Sequence, residues 1–249
     1  MNESRKKVKA DTFEGEDNVM VQDCLYGGES VRLLLVNGTR ESATYLLPGK
    51  RNEMVFNYMK HLNQVYEIVK GGCDTLLLGG AGFAYPKYYI SHYPKSRMDV
   101  VELNSYMYEL AMEYFFLKDL YRDYDLENNG RLQVFIEDGS QYLVRNEKHY
   151  DVIINDAYHG IEPDKGLISE DTTREIRRGL KMGGVYVANI ITALKGSGAI
   201  LGQKTMEVFK AVFPYVEAHP CEPNRNPTES QNIMFVASDK KFEWVDFPE

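Results

Sequence analysis

Residues 75–84 read TLLLGGAGFA, and residues 98–103 read MDVVEL. The first stretch is a short apolar strand running into glycines. The second is another apolar strand, ending in the acid Glu102. Both are too short for helices and are bounded by turn residues, as strands buried on both faces are. The pattern continues outward. SYMYELAMEYFFL, residues 105–117, has helical spacing, and RLQVFIEDG, residues 131–139, is a strand ending in Glu-Asp-Gly. YDVIINDAY, residues 150–158, is a strand reaching Asp156. TTREIRRGLKMGG predicts a helix closed by Gly183-Gly184, then VYVANII a strand and AILGQKTMEVFKAVFP a helix. YVEAHP and NIMFVAS complete the strands. Strands alternating with helices predict an α/β fold, a mostly parallel sheet covered on both faces.

The segment before this differs. Residues 19–46 hold short strand patterns joined by Gly27-Gly28 and Asn37-Gly38, and Asn-Gly is a strong hairpin signal. A small antiparallel β-unit is expected over 19–50. Residues 52–69 place Met54, Val55, Tyr58, Met59, Leu62, Val65, Tyr66 and Val69 at helical spacing, with Gly71-Gly72 as the stop. Residues 1–18, MNESRKKVKADTFEGEDN, are read as a disordered tail without the apolar core of a signal peptide.

Composition narrows the function classes. With 249 residues and 43% hydrophobic content, the chain can fill one large core. No apolar run reaches the roughly 18 residues of a membrane helix, so no membrane partner is expected and the cytoplasm is the expected location. Lys plus Arg is 29 against 37 Asp plus Glu, a net charge of −8, which argues against nucleic acid and favours a cationic small molecule. Cys24, Cys73 and Cys221 are scattered, with neither a disulfide framework nor metal-ligand spacing, so no metal is expected.

Ligands of such sheets bind beyond the carboxyl ends of the strands. Those ends carry Gly79, Gly80 and Gly82, then Glu102, Asp138 and Asp156. Small residues let a ligand approach the backbone. A carboxylate at Glu102 can accept from both ribose hydroxyls, and Asp138 can accept from an adenine amino group. Together they describe an adenosine site. A dinucleotide fits less well, because the third glycine of its fingerprint would fall on Tyr85.

The order LLLGGAGFAYP, VVELN, IEDGSQYL and YDVIINDAYHG resembles the spermidine synthase-like family, across roughly residues 19–237. The resemblance implies a seven-stranded Rossmann-like methyltransferase domain over 51–249 behind the N-terminal β-unit, and a homodimer. It implies that Glu102 holds the ribose, that Asp138 and Gly139 hold the adenine, and that Gly79, Gly80 and Gly82 lie along the thioether chain. Asp156 matches the aspartate that deprotonates an attacking amine. No metal is implied. The co-substrate would be S-adenosylmethionine or its decarboxylated form.

The departures concern substrate. Gly82 stands where the family's aminopropyltransferases carry an aspartate for the donor ammonium. Backbone N–H groups over Gly80–Phe83 are expected to receive the carboxylate of ordinary S-adenosylmethionine instead. His159 replaces a diamine-binding acid, Glu41 replaces a glutamine, and Phe56 and Tyr58 stand where a tyrosine and an acid are expected. Glu41, Tyr158 and His159 are the candidate acceptor contacts. The expected function is therefore methyl transfer from S-adenosylmethionine to a small nucleophilic acceptor. Aminopropyl transfer through an altered pocket, and non-catalytic nucleoside binding, are the alternatives.

Overall fold

The computed structural model describes residues 6–12, 18–70, 73–159 and 162–245, without the side chains of 6–12, 159 and 162. Four antiparallel strands open the chain: β1 (Lys6–Thr12), β2 (Asn18–Tyr26), β3 (Glu29–Val36) and β4 (Thr39–Tyr45), in that spatial order. Residues 6–12 pair with β2, within the stretch 1–18 that the sequence reads as a tail. Asn37 and Gly38 join β3 to β4 with φ of 51° and 81°. Two consecutive positive φ values make the tight turn whose twist matches the flanking strands.

Two short helices follow, α1 (Asn57–Leu62) and α2 (Val65–Val69), where the apolar spacing predicts one helix over 52–69. Between them the backbone tightens: Asn63, Gln64, Tyr66 and Glu67 each donate to the carbonyl three residues back. The expected stop at Gly71-Gly72 lies outside the described residues.

The main sheet alternates with helices. β5 (Asp74–Leu78) leads to α3 (Ala84–His92), and β6 (Arg97–Glu102) to α4 (Ser105–Tyr114), α5 (Leu117–Asp123) and α6 (Leu126–Asn129). The single helix expected over 105–117 breaks because Phe116 adopts φ of 62°. β7 (Leu132–Ile136) precedes α7 (Gly139–Arg145), and β8 (Tyr150–Asn155) precedes a small hairpin of β9 (Tyr158–His159) and β10 (Glu162–Pro163). Then come α8 (Glu170–Gly179), β11 (Leu180–Thr192), α9 (Ile200–Val212), β12 (Tyr215–Pro220) and β13 (Gln231–Ser238). α8 closes at Gly179 rather than at Gly183-Gly184, because Leu180 already pairs with Tyr150 of β8. The extra residues before Val185 form an irregularity in β11, from which Lys181 bridges Asp74 and Asp151 at 2.7 and 2.8 Å.

The seven strands lie in the order β12-β13-β11-β8-β5-β6-β7, with β13 antiparallel to both neighbours and the four pairs from β11 to β7 parallel. Side chains alternate across the sheet as pleating requires. Leu77, Val100, Val152, Ile154 and Val187 share one core. Leu76, Leu78, Val101, Ile153 and Tyr186 enter the other. The N-terminal sheet closes over α4 through Val19, Val21, Leu34 and Val36 against Tyr106, Met107, Leu110 and Phe115. Because β5 sends the chain first to β6 and β7 and later receives β8 on its other side, the sheet order reverses at β5 and β8, where a crevice opens.

A buried cation ties these layers together. Lys87 on α3 is 1% exposed. Its Nζ donates to Thr44 Oγ1 on β4 at 2.7 Å, to the Arg51 carbonyl at 2.8 Å and to the Phe115 carbonyl at 2.7 Å. All three ammonium hydrogens are used, each on a different segment. Burial, with the nearby charge of Arg51 adding to it, lowers the Lys87 pKa to about 7. Lys87→Met fills similar volume but removes three hydrogen bonds, leaving the Phe115 carbonyl without this donor while Thr44 Oγ1 still donates to the Arg51 carbonyl at 3.1 Å, so it is expected to cost about 1–3 kcal/mol in urea unfolding. Because the folded state releases this proton near pH 7 and the unfolded state does not, wild-type stability is expected to rise with pH above 7, and the variant to lack that component.

Candidate active site

The crevice widens into a cleft of about 1200 Å³ bounded by the carboxyl ends of β5 to β8 and β11 and by the N-terminal sheet. Its floor is set by Gly79. Its φ is 92°, and an added Cβ would lie 2.6 Å from the Asp156 carbonyl oxygen and 2.9 Å from Ala157 Cα. No side chain fits there. Gly80 is similarly confined, by the Phe83 ring at 2.9 Å and Val100 at 3.2 Å.

Glu102, 8% exposed at the end of β6, turns back onto this loop. Its Oε2 accepts from the Gly80 and Ala81 N–H groups at 2.7 and 2.9 Å, and its Oε1 accepts from Asn104 N–H at 3.0 Å. Phe83 N–H donates to the Gly80 carbonyl at 2.8 Å. The N–H groups expected to receive a donor carboxylate are therefore taken at Gly80, Ala81 and Phe83, and the carboxylate of Glu102 sits in their place. Gly82 is placed differently from Gly79 and Gly80. It does not line the cleft, and an added Cβ would meet Ser42 Oγ at 2.6 Å and Ser42 Cβ at 2.7 Å.

Asp138 and Gly139 lie on the cleft wall. The Asp138 carboxylate caps α7, accepting from Ser140 Oγ and from Gln141 N–H at 2.9 Å. The Ser140 bond, then the Gln141 bond, hold its pKa below the ordinary aspartate value. Between Glu102 and Asp138 the wall is apolar. Leu103 and Ile136 are 52% and 44% exposed, and both line the cleft with Leu167. A flat heterocycle would cover such surface. The sequence signal for Leu103 and Ile136 was their place beside the strand-end acids.

Asp156 lies across the cleft, just after β8, and is held from two sides. Asn189 Nδ2 donates to its Oδ1 at 2.8 Å, and Tyr58 OH donates to its Oδ2 at 3.1 Å. Asn232 Nδ2 donates in turn to Asn189 Oδ1 at 3.0 Å. Burial raises the Asp156 pKa to about 6, against the opposing pull of the Asn189 and then the Tyr58 hydrogen bond. Sequence reasoning missed Tyr58, Asn189 and Asn232. Asn189 leaves a trace, as a lone amide among the apolar residues of β11.

The candidate acceptor contacts divide. Glu41 and Tyr158 line the cleft. The Tyr158 hydroxyl is engaged, donating to the Asn189 carbonyl at 2.8 Å and accepting from Ile191 N–H at 2.9 Å. It offers a ring face, not a free hydroxyl. The His159 side chain lies outside what the structure describes. Tyr26, Phe56 and Tyr58 form an aromatic row on the same side, with ring centroids 5.9 and 6.3 Å apart. Buried Cys221 also reaches the cleft, its thiol pushed up to about 12 by burial. Among the described residues, no His, Cys, Asp and Glu cluster could hold a metal ion, and no helix is long and apolar enough to cross a membrane.

Comparison with known proteins accords with this geometry. The spermine/spermidine synthase domain model matches residues 55–238. A polyamine aminopropyltransferase of Moorella thermoacetica is 29% identical over 140 residues, 56% of this chain and 47% of that protein. The chain thus spans about half the length of that relative. The homologue from Alkaliphilus metalliredigens is 24% identical over 218 residues, 87% of this chain and 72% of its own. A probable spermidine synthase structure from Corynebacterium glutamicum superposes with a TM-score of 0.76, at 22% identity, over 95% of this chain and 81% of that one. The human methyltransferase-like protein 13 complex with SAH reaches 0.57, at 20% identity, over 76% and 85%, and shares the Rossmann-like methyltransferase fold. With the family model covering 55–238 and the seven-stranded sheet beneath it, the chain belongs to the spermine/spermidine synthase domain family.

Proposed function

We propose that the chain transfers a 3-aminopropyl group from decarboxylated S-adenosylmethionine to a small amine. The observation that carries this reading is Glu102 bound to the N–H groups of Gly80 and Ala81. A donor carboxylate would find these groups occupied and a like charge beside them. A donor ending in an ammonium meets no such conflict. The sequence put methyl transfer first because residue 82 lacks the family's aspartate. The match to polyamine aminopropyltransferases supports the alternative better.

The cleft residues fit the donor. The sulfonium supplies an electrophilic carbon and a neutral thioether leaving group. Glu102 would accept from the ribose hydroxyls through its remaining lone pairs, while Leu103, Ile136 and Leu167 would cover the adenine beside Asp138. The acceptor amine attacks the carbon next to sulfur. A C–N bond forms, the C–S bond breaks, and its electron pair stays on sulfur as methylthioadenosine. The amine proton passes to Asp156. Asn189 and Tyr58 hold both carboxylate oxygens, so the base is oriented before the acceptor arrives.

Decarboxylated S-adenosylmethionine at about 100 times its dissociation constant should stabilise the protein by about 2.7 kcal/mol and raise its thermal midpoint by several degrees. Ordinary S-adenosylmethionine at the same concentration should do less, and the reverse order would restore methyl transfer. Asp156→Asn should lower kcat by about 10²–10⁴-fold while donor binding stays within a few-fold. The base is its ionised form, so kcat/KM should fall as pH drops through about 6. Tyr58→Phe removes a bond that favours the carboxylate, so the acid limb should move to higher pH.

A further inference from the structure

Residue 82 cannot supply a carboxylate to the donor, because Ser42 fills the space its side chain would need. Yet a donor that ends in an ammonium is held best by an anionic partner. The register of β3 and β4 shows where that charge has gone. Leu34 pairs with Ser42 and Leu35 pairs with Arg40, so Glu41 has no residue opposite it. It is the extra residue of a β-bulge. Strict alternation would send Glu41 and Ser42 to opposite faces, but a bulge turns neighbouring side chains to one side and re-aims them. Both residues line the cleft.

Glu41 also stands on the donor side. Its neighbour Ser42 abuts Gly82, at the turn after β5. Its charge is felt at Tyr58 and at Tyr158, the two tyrosines beside Asp156. Glu41 thus lines the same cleft as Gly79 and Gly80 of the turn after β5 and as Tyr58, Asp156 and Tyr158.

We propose that Glu41 is the donor-selecting residue: its carboxylate binds the terminal ammonium of the aminopropyl chain, in place of a side chain at residue 82. The inference rests on the aminopropyl reading above. Bulge and glycine act together. The bulge brings an anion in from the N-terminal sheet, and Gly82 with Ser42 keeps the anion off the loop. The same carboxylate opposes a donor that keeps its own carboxylate.

The test is calorimetric binding of two ligands without acceptor: decarboxylated S-adenosylmethionine, which carries the ammonium, and methylthioadenosine, which lacks it. Glu41→Gln should weaken the first by about 10–100-fold, the range of a charge-assisted hydrogen bond, and leave the second unchanged. Glu41→Asp keeps the charge on a shorter arm and should give an intermediate, equally selective loss. That variant decides the matter if Glu41→Gln does not fold. Equal weakening of both ligands, or a change confined to the acceptor KM, would overturn the role of Glu41 and leave the aminopropyl reading standing. Wild-type protein that prefers ordinary S-adenosylmethionine would overturn that reading, and this inference with it.

Discussion

The Asp156 carbonyl and Ala157 Cα occupy the space that any side chain at residue 79 would need. This contact sits where the central strand changes partners. Asp156 N–H donates to the Leu78 carbonyl at 2.9 Å, on the β8 side of β5. One residue on, Gly79 N–H donates to the Val101 carbonyl at 2.9 Å, on the β6 side. The chain can satisfy both neighbours only with a residue at φ of 92°, which glycine adopts without strain. From that point the loop rises toward Glu102 on one side, and Asp156 leaves β8 on the other. The separation of the glycine loop from Asp156 is thus set by backbone packing.

The N-terminal sheet completes the site instead of decorating it. Its apolar face covers α4, and Thr44 on β4 receives the buried Lys87 ammonium. A lysine was needed there because three separate segments present acceptors to one point, and only an ammonium offers three divergent donors. With β4 pinned in this way, the bulge at Glu41 holds its position over the glycine turn. Packing and site chemistry are coupled through one strand.

The alternating strands and the acids at their ends were legible because periodicity and strand ends are local properties. The order LLLGG, VVEL, IEDG and INDAY gave the sheet and four walls of the cleft. What escaped was non-local. Tyr58 reaches Asp156 across 98 residues, Asn189 across 33, and Asn232 meets Asn189 across 43. The pairing of Tyr58 with Asp156 is invisible in a segment where the family pattern reads as a lost acid. The pairing of Lys6–Thr12 along β2 is likewise not legible in a charged segment, because backbone hydrogen bonding does not depend on side-chain polarity. Phe116 gave no warning that it would take a left-handed conformation, because nothing in an apolar pair marks the end of a helix.

Glu41, Glu102, Asp138 and Asp156 are four of the seven acidic residues that line the cleft, and their surroundings differ. Glu102 is held by three backbone N–H groups, and Asp138 by a helix cap. The bonds to Asp138 favour its charged form. Glu41 comes from a bulge on another sheet. Burial pushes Asp156 up, from 3.8 to about 6. Environments that drive two carboxyl groups apart, as at Asp138 and Asp156, support Asp156 as the proton acceptor of the proposed transfer. A typical amine gives up its proton near pH 10, so an ordinary aspartate is a poor partner for it. In the proposed transfer, raising Asp156 would bring base and amine about a hundredfold closer in proton affinity while the carboxyl stays mostly ionised at neutral pH. A higher value would leave the base protonated, and a lower one would leave it too weak to take the proton as the C–N bond forms.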